Sequence, residues 1–273
     1  MDLSAFNPHA LTEDDFVASF VARQTTLDHL LQQLRLVQPD QPARHHLIVA
    51  PRGYGKTTLL RRVAIAVRQE PELRAGFIPL SFREEQHNVI SLDIFWRNCL
   101  QSLQEAREDE GADATELQAL DDDWERHAPR QALPREQQDG EPAWLTLSAH
   151  AERLGRRLLL LIDNLDTLLA GLSATHQWAL RRRLQGDDGP VLLAAAPRYP
   201  DATHNPNAAF FEFFRIHTLD RLEDTEVFTC LRHLAQRRGN AGQPVLQLLA
   251  QDPGRISALN TLAGGTPRTL GEL

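Results

Sequence analysis

Residues 45–67 read HHLIVAPRGYGKTTLLRRVAIAV, and this stretch decides the fold. Residues 46–50 form an apolar run that is typical of a buried strand, and Gly55-Lys56-Thr57 opens an amphipathic helix. Between them, Gly53 and Gly55 permit backbone angles and a close approach that side chains would block. The sequence therefore predicts a strand, a glycine-containing turn and a helix in succession, which is the context of a phosphate-binding loop.

The turn carries the side chains that such a loop uses. Successive N–H groups would point into one concavity and meet a β-phosphate, helped by the N-terminus of the helix. Lys56 would reach the β- and γ-phosphates, and the Thr57 hydroxyl would ligate Mg²⁺. Ala50 stands where the pattern usually begins with glycine, a position that closes the strand. The expected nucleotide-binding residues of the loop are Pro51, Arg52, Gly53, Tyr54, Gly55, Lys56, Thr57 and Thr58.

Lys56 is also the single lysine among the 29 basic residues of the chain. Lysine offers a compact, rotatable ammonium, whereas arginine presents a broad planar fork. A position that keeps lysine in a chain that otherwise uses arginine indicates a site that needs a point charge in a tight space.

A second motif, RRLLLLIDNLDTLL, covers residues 156–169. Residues 158–162 are typical of a buried parallel strand, and Asp163 follows at its carboxyl end, the edge at which ligands bind in open α/β sheets. Asp163 is therefore predicted to be the Walker B carboxylate, which holds Mg²⁺ through water. Thr57 and Asp163 together form the expected metal site.

The two motifs resemble those of the AAA+ ATPases and of the related STAND signalling ATPases, above all the initiator-like and the transposition- or defence-associated groups. Residues 20–34, FVARQTTLDHLLQQL, resemble the segment that precedes the P-loop in those families, where an arginine and a helix cover the adenine. The resemblance extends from Phe16 to the C-terminus. It implies ATP and Mg²⁺ as cofactors, Arg23 at the nucleotide, and a homo-oligomer.

The alternation of elements predicts an α/β fold, a five-stranded parallel sheet of the P-loop NTPase type sandwiched by helices. Strands are expected at 46–50, 76–82, 158–162, 190–196 and 215–219, and helices at 57–70, 91–107, 144–156 and 173–185. From Glu223 onward the pattern is only helical, and the resemblance identifies this part as a small all-helical lid.

Three regions follow from this order. Residues 1–45 are expected to form an N-terminal helical segment that contributes to the nucleotide site, residues 46–220 the ATPase core, and residues 221–273 a lid that is cut short. Within the core, residues 108–142 are rich in Asp, Glu, Gln, Pro and Gly. They are predicted to be an exposed acidic insertion, partly helical around residues 114–124 and otherwise mobile.

Walker B departs from the family pattern, which continues with a glutamate that polarises the attacking water. Asn164 takes that position, and an amide can orient a water but cannot accept its proton. Three interpretations follow: Asp166 substitutes for the glutamate, Glu84 or Glu85 approaches from the neighbouring strand end, or hydrolysis is slow. We favour slow hydrolysis, because the fourth strand also ends without the polar sensor 1 residue and leaves Arg198 as the nearest polar candidate.

The resemblance implies roles for further arginines. Residues 264–270, GGTPRTL, resemble sensor 2, which implies that Arg268 contacts the γ-phosphate from the lid. Arg215 lies where an arginine finger that reaches a neighbouring subunit is found, although a simple salt bridge explains it equally well, and Arg198 is the other candidate. The expected catalytic residues are Lys56, Asp163, Asn164, Asp166 and Arg268.

Composition and charge exclude several classes of protein. Residues 158–162 are the longest aliphatic run, far short of the roughly 20 residues that span a membrane. Two cysteines without a partner motif exclude a disulfide scaffold, and no secretory signal is present, so a cytoplasmic protein is expected. The net charge of −8 is concentrated between Glu105 and Trp144, with 13 acidic and 4 basic residues, so the rest of the chain is close to neutral.

The sequence therefore predicts an ATP-binding, slowly hydrolysing, oligomeric switch that acts on nucleic acid or on protein partners. The run Arg181-Arg182-Arg183 is either a contact for a phosphate backbone or a solvated helix face. The alternative function is a STAND-type signalling scaffold with negligible turnover. Small-molecule kinases share the P-loop but lack this helical lid, and a Ras-type GTPase is excluded because its guanine-reading motif needs a second lysine.

Overall fold

A computed structural model describes residues 12–82, 89–128, 134, 137–251, 254–262 and 264–267. Its centre is a five-stranded sheet made of β1 (His45–Val49), β2 (Phe77–Ser81), β3 (Arg157–Ile162), β4 (Val191–Ala196) and β5 (Phe214–Thr218). The strands lie in the order β2-β3-β4-β1-β5, and every pair of neighbours is parallel. The α/β fold expected from the sequence is confirmed, and each strand agrees with its expected bounds within one residue.

Helices cover both faces of this sheet, and three more follow after β5. They are α1 (Glu13–Ser19), α2 (Gln24–Arg35), α3 (Lys56–Gln69), α4 (Pro71–Gly76), α5 (Leu92–Asp109), α6 (Ala114–Arg126), α7 (Glu141–Leu154), α8 (Leu165–Gly171), α9 (Ala174–Leu184) and, after β5, α10 (Asp224–Arg237), α11 (Gln243–Gln251) and α12 (Gly254–Leu262). The sequence did not predict two short helices, α4, which follows α3, and α8, which follows β3.

The residues of β1 are buried on both faces of the sheet, which explains its uninterrupted apolar run. Leu47 and Val49 belong to a buried cluster built with α5, α7, α8 and α9. Ile48 points to the other face and belongs to a cluster built with α2, α3 and α4. Because successive side chains of a strand alternate, a single apolar strand anchors both layers and fixes the position of the loop that follows it.

The acidic segment is better packed than the sequence indicates. Its helix α6 lies against α5, Leu120 is fully buried, and the Arg97 guanidinium stacks 3.5 Å from the centre of the Trp124 ring. The Glu110 side chain, which is 7% exposed, accepts hydrogen bonds of 2.8 and 2.7 Å from Arg156 beside β3. The helix predicted around residues 114–124 is present as α6, and most of residues 108–128 are exposed, with Leu120 and the Glu110 side chain as anchors. That the segment is an insertion stays a prediction, and residues 129–133 and 135–136 lie outside the described residues.

The last helices form a small layer of their own. Leu222, Val227, Leu249 and Ile256 make a separate buried cluster with contributions from α10, α11 and α12. The Leu222 N–H donates to Gly265 O at 3.0 Å, so the chain after α12 returns to the start of this layer. Throughout the described ranges, every helix is too short or too polar to cross a membrane.

Candidate functional site

The loop between β1 and α3 has the backbone that the sequence predicted. Gly53 and Gly55 adopt left-handed angles, with φ of 85° and 87°, and α3 begins at Lys56. Only glycine takes such angles at little cost, so both glycines are needed for the turn. Arg52 is exposed, whereas Tyr54 packs against the buried cluster under α2 and α3. The loop thus presents the N-terminus of α3 at the carboxyl edge of the sheet.

The Lys56 side chain lies inside this loop and is 7% exposed. Its Nζ donates hydrogen bonds to Ala50 O at 2.7 Å and to Pro51 O at 3.1 Å. Burial lowers the pKa of Lys56, and the nearby carboxylates of Asp163 and Asp166 counteract this effect by favouring the charged form. The single lysine of the chain is therefore a compact cation in a narrow site, where the broader arginine fork fits poorly.

Thr57 and Asp163 are 106 residues apart in sequence and meet across the sheet edge. The Thr57 hydroxyl donates to one carboxylate oxygen of Asp163, and the backbone N–H of Asn164 donates to the other at 2.9 Å. A hydroxyl and a carboxylate in contact are oxygen ligands of the kind that Mg²⁺ takes in nucleotide sites. The expected metal pair is thus brought together.

The two residues that compete for the role of the missing glutamate differ in their surroundings. Asn164 has a left-handed backbone, with φ of 51°, and precedes the first turn of α8. Asp166 lies in that turn, and its Oδ1 is buried without a hydrogen-bond partner among the residues that the structure describes. Such an orphaned carboxylate oxygen is costly unless water, a cation or a ligand satisfies it. Glu84 and Glu85, the other candidates, lie outside the described residues.

Arg23 reaches the same edge of the sheet from the N-terminal side. Leu219 N donates to Val49 O at 3.0 Å, so the residues after β5 lie beside the end of β1. The Arg23 guanidinium donates to the carbonyl oxygen of Asp220, and its Nε is buried with no partner in the described part of the chain. Arg23 itself is held in a left-handed conformation, with φ of 64°.

The lid approaches the loop from the opposite end of the chain. A Cβ atom added to Gly55 would lie 3.8 Å from Cγ of Pro267, so the residues after α12 contact the phosphate-binding loop. Arg268, the expected sensor 2 residue, is the next residue in sequence and lies outside the described residues. The P-loop, Asp163, the Arg23 segment and the end of the lid therefore converge on one edge of the sheet.

The remaining arginines lie in different surroundings. Arg198 is exposed two residues beyond β4, at the edge that carries the loop. Arg215 lies within β5, pairs in register with His46, and donates to Gln33 Oε1 at 2.7 Å. This register places Arg215 near the amino end of the strands, away from the loop of its own subunit.

The basic run on α9 is only partly available to a partner. Arg181 donates to Ala209 O at 2.5 Å, and Arg183 forms an ion pair with Glu141. Arg182 is the exposed member of the three. An uninterrupted basic stripe for a phosphate backbone is therefore not formed in the described part of the chain, because two of the three guanidinium groups have partners within the protein.

Sequence reasoning missed Glu226, on the first turn of α10. Glu223 and Glu226 form a reciprocal capping box, and Glu226 Oε1 also accepts the backbone N–H of Arg23 at 3.0 Å. The three-residue spacing of two glutamates signals a helix start in the sequence. The contact with Arg23, 203 residues away, has no such signal.

The comparisons with known proteins agree with this architecture. The ORC2 protein of Aeropyrum pernix, in its ADPNP–ADP complexes, has a TM-score of 0.55 and 15% identity, with 79% of this chain and 52% of that chain covered. The ADP form of the same protein has a TM-score of 0.51 and 15% identity, with 78% of this chain and 52% of that chain covered. A Walker-type ATPase of Pyrococcus abyssi has a TM-score of 0.52 and 14% identity, with 95% of this chain and 67% of that chain covered.

These identities are low and establish the fold only. The chain spans about half the length of the Aeropyrum proteins, at 52%. No sequence among the curated proteins matches it. The model of the family described as AAA ATPase domain, however, matches residues 19–194, which is more than half of the chain and includes the P-loop, Asp163 and most of β4. The chain therefore belongs to the AAA ATPase domain family.

Proposed function

We propose that this AAA+ ATPase domain binds Mg-ATP at the edge formed by the P-loop, hydrolyses it slowly, and works as an oligomeric switch on a nucleic-acid or protein partner. The regions proposed for this task are residues 1–45 as a flanking helical segment, 46–220 as the core and 221–273 as the lid. The observation that carries the proposal is the convergence of buried Lys56 with the Thr57–Asp163 pair at one sheet edge.

The residues present fit Mg-ATP. The loop of residues 51–58 offers left-handed glycines and a helix N-terminus to the phosphates, and Lys56 offers a positive charge to the β- and γ-phosphates. Thr57 and Asp163, whose side chains are hydrogen-bonded, would hold Mg²⁺, which would neutralise developing charge on the phosphates. Arg23 is proposed to border the nucleoside, since its orphaned Nε lies beside the end of β1.

The residue at the position of the Walker B glutamate supports slow hydrolysis. Asn164 can orient a water but has no basic oxygen to take its proton. Asp166 has such an oxygen, its Oδ1 lacks a partner in the described structure, and its charge acts on Lys56. We propose that Asp166 takes the proton from a position two residues beyond that of the missing glutamate, and that turnover is slow because Asn164, at the glutamate's own position, only orients the water. Arg268 in the lid is proposed to contact the γ-phosphate.

In the proposed ATP-controlled oligomer, a group of one copy would read the nucleotide of the neighbouring copy. Arg198 is the better candidate for this role, because it is exposed at the loop-bearing edge. Arg215 is also exposed, but its guanidinium is bonded to Gln33 of its own subunit. The bond to Gln33 supports the intramolecular explanation of Arg215.

The decisive experiment compares Mg-ATP binding and phosphate release for the intact protein, Lys56→Ala and a control. Arg74→Ala is the control, since it also removes a cation, but an exposed one on α4, which leads into the amino end of β2 and not into the loop-bearing edge. We expect the intact protein and the control to bind ATP and release phosphate slowly, and Lys56→Ala to lose both. Equal binding by all three proteins would refute the proposal.

A second candidate function is a STAND-type signalling scaffold that holds nucleotide without turnover. Asn164 favours it, because the amide replaces the group that would activate water. Tight ATP binding with no phosphate release, unchanged in Asp166→Asn, would support the scaffold over the switch.

A further inference from the structure

One face of lid helix α10 contacts the N-terminal part of the chain near both of its ends. Glu226, Cys230, His233 and Arg237 follow one another at intervals of three or four residues and therefore lie along the same face of the helix. We call these four residues the lid stripe. Residues 13–23, which comprise α1 and the turn before α2, are called the N-terminal strap.

The strap is bound to both ends of the lid stripe. At the first turn of α10, Glu226 Oε1 accepts the Arg23 N–H at 3.0 Å. At the last turn, Arg237 Nη1 donates to Asp15 O and Nη2 to Asp15 Oδ1, both at 3.2 Å. Between them, Ala22 and Cys230 pack against the same buried lid cluster. The strap therefore runs antiparallel to α10 over its whole length.

The other side of the strap is bound to the helix that follows the P-loop. The Arg61 guanidinium lies 4.3 Å from the centre of the Phe16 ring, and Phe16 is 2% exposed. Arg68 forms an ion pair with Glu13. Since Arg61 and Arg68 lie on α3, the strap bridges the P-loop helix and the lid helix.

The Glu226 carboxylate fixes the most constrained point of the strap. Arg23 has a left-handed backbone, which is unfavourable for a residue with a side chain and persists only where neighbours hold it. The same carboxylate accepts the Glu223 N–H through Oε2 at 3.1 Å, so each oxygen has one backbone donor. Because bonds to a charged acceptor are stronger than neutral ones, this carboxylate connects the start of the lid helix to the strap at Arg23.

We propose that Glu226 is a positioning residue of the nucleotide site, which acts from the lid by holding the Arg23 backbone and thereby places the segment that borders the nucleoside. This inference rests on the proposed function, in which the P-loop holds the phosphates and Arg23 borders the nucleoside. Glu226 acts only on the nucleoside side, because its bonds reach Arg23 and not the P-loop. Arg237 secures the other end of the strap, so a movement of the lid is transmitted to Arg23.

The test separates binding of the nucleoside from binding of the phosphates. Calorimetric titration with Mg-ATP and with magnesium tripolyphosphate is carried out on the intact protein, Glu226→Ala, Glu226→Gln and Glu223→Ala. Glu223→Ala is the matched control, since it removes the reciprocal half of the same capping box but no bond to Arg23. Lys56→Ala, which removes the cation of the P-loop, reports on the proposed function itself.

We expect Glu226→Ala to weaken ATP binding about tenfold, the effect of losing a charge-assisted hydrogen bond, and to leave tripolyphosphate binding within about twofold. Glu226→Gln keeps one acceptor oxygen and should weaken ATP binding by about threefold. Glu223→Ala should bind both ligands as the intact protein does. Thermal unfolding of each variant reports whether it folds, and if Glu226→Ala does not fold, Glu226→Gln carries the test.

Two results would overturn the inference while leaving the proposed function intact. One is equal weakening of ATP binding by Glu226→Ala and Glu223→Ala, which would reduce Glu226 to a helix cap. The other is ATP binding by both Glu226 variants at the strength of the intact protein, with binding abolished in Lys56→Ala. If the intact protein binds neither ligand, the proposed function itself fails.

Discussion

Acid should destabilise this protein through a histidine buried beside β5. His46 on β1 is 3% exposed, and its Nδ1 lies 2.9 Å from Nε2 of His217. Burial lowers the pKa of His46 to about 3, and the positive charge of Arg215 adds to the effect of the neighbouring imidazoles of His217, His45 and His29. A proton on His46 would therefore enter an apolar site already surrounded by cationic or ionisable groups.

The sign and size of the effect follow from proton linkage. The folded pKa lies below the unfolded value of 6.5, so the unfolded chain binds the proton first and stability falls as the pH drops below 6.5. Between pH 7 and pH 5, protonation of His46 in the unfolded chain lowers the free energy of unfolding by about 2 kcal/mol. This figure depends almost wholly on the unfolded pKa, because pH 5 is still above the folded one. The free energy of unfolding continues to fall until the pH reaches about 3, the folded pKa of His46.

Urea unfolding at pH 7 and at pH 5 measures this contribution. His46→Gln keeps a hydrogen-bonding side chain but cannot be protonated, so its loss of stability between the two pH values should be about 2 kcal/mol smaller than that of the intact protein. His204→Gln, at an exposed histidine, is the control. If His46→Gln and the intact protein lose equal stability on acidification, the linkage argument is refuted.

Three further substitutions test the site and the fold. Lys56→Arg should weaken Mg-ATP binding at least about tenfold in a calorimetric titration, because the planar fork does not fit the narrow cage of Ala50 and Pro51 carbonyls; unchanged affinity would contradict this. Asp166→Asn should slow phosphate release about a hundredfold and leave ATP affinity unchanged, since it removes the proposed proton acceptor. Asp28→Asn, at an exposed position of α2, is the control. An equal rate in both variants would exclude Asp166 as the proton acceptor. Leu120→Ala should lower the free energy of unfolding by about 2–5 kcal/mol in urea, and a change below about 0.5 kcal/mol would mean that α6 does not pack as described.

The elements that could be predicted from the sequence are those marked by a pattern of neighbouring residues. β1 and β3 are apolar runs followed by residues with a chemical role, so both the strands and the edge at which Lys56 and Asp163 meet were predictable. The five-stranded parallel sheet followed from the alternation of strands and helices. Their order in the sheet has no local signal.

Contacts between distant charged residues were not predictable. Glu110 belongs to a stretch that reads as a solvated acidic loop, yet its carboxylate forms an ion pair with Arg156, which lies directly before β3, in a half-buried position. The hydrogen bond from the Arg23 N–H to Glu226 likewise joins residues that are distant in sequence. A charged residue looks the same in sequence whether it is solvated or paired, so only the three-dimensional arrangement separates the two cases.

The position of β4 gives this strand a role as a spacer. It lies between β1 and β3, so the strand that leads into the P-loop and the strand that leads into Asp163 are two strand spacings apart, about 10 Å. Its last residues are alanines, and Ala196 pairs in register with Val49. Ala196 is fully buried in the same cluster as Val49, so a bulkier side chain there would have to displace its neighbours. The width of one alanine-rich strand thus sets the span that the hydroxyl and the carboxylate must bridge, and a bulkier residue at Ala196 would alter it without touching either group.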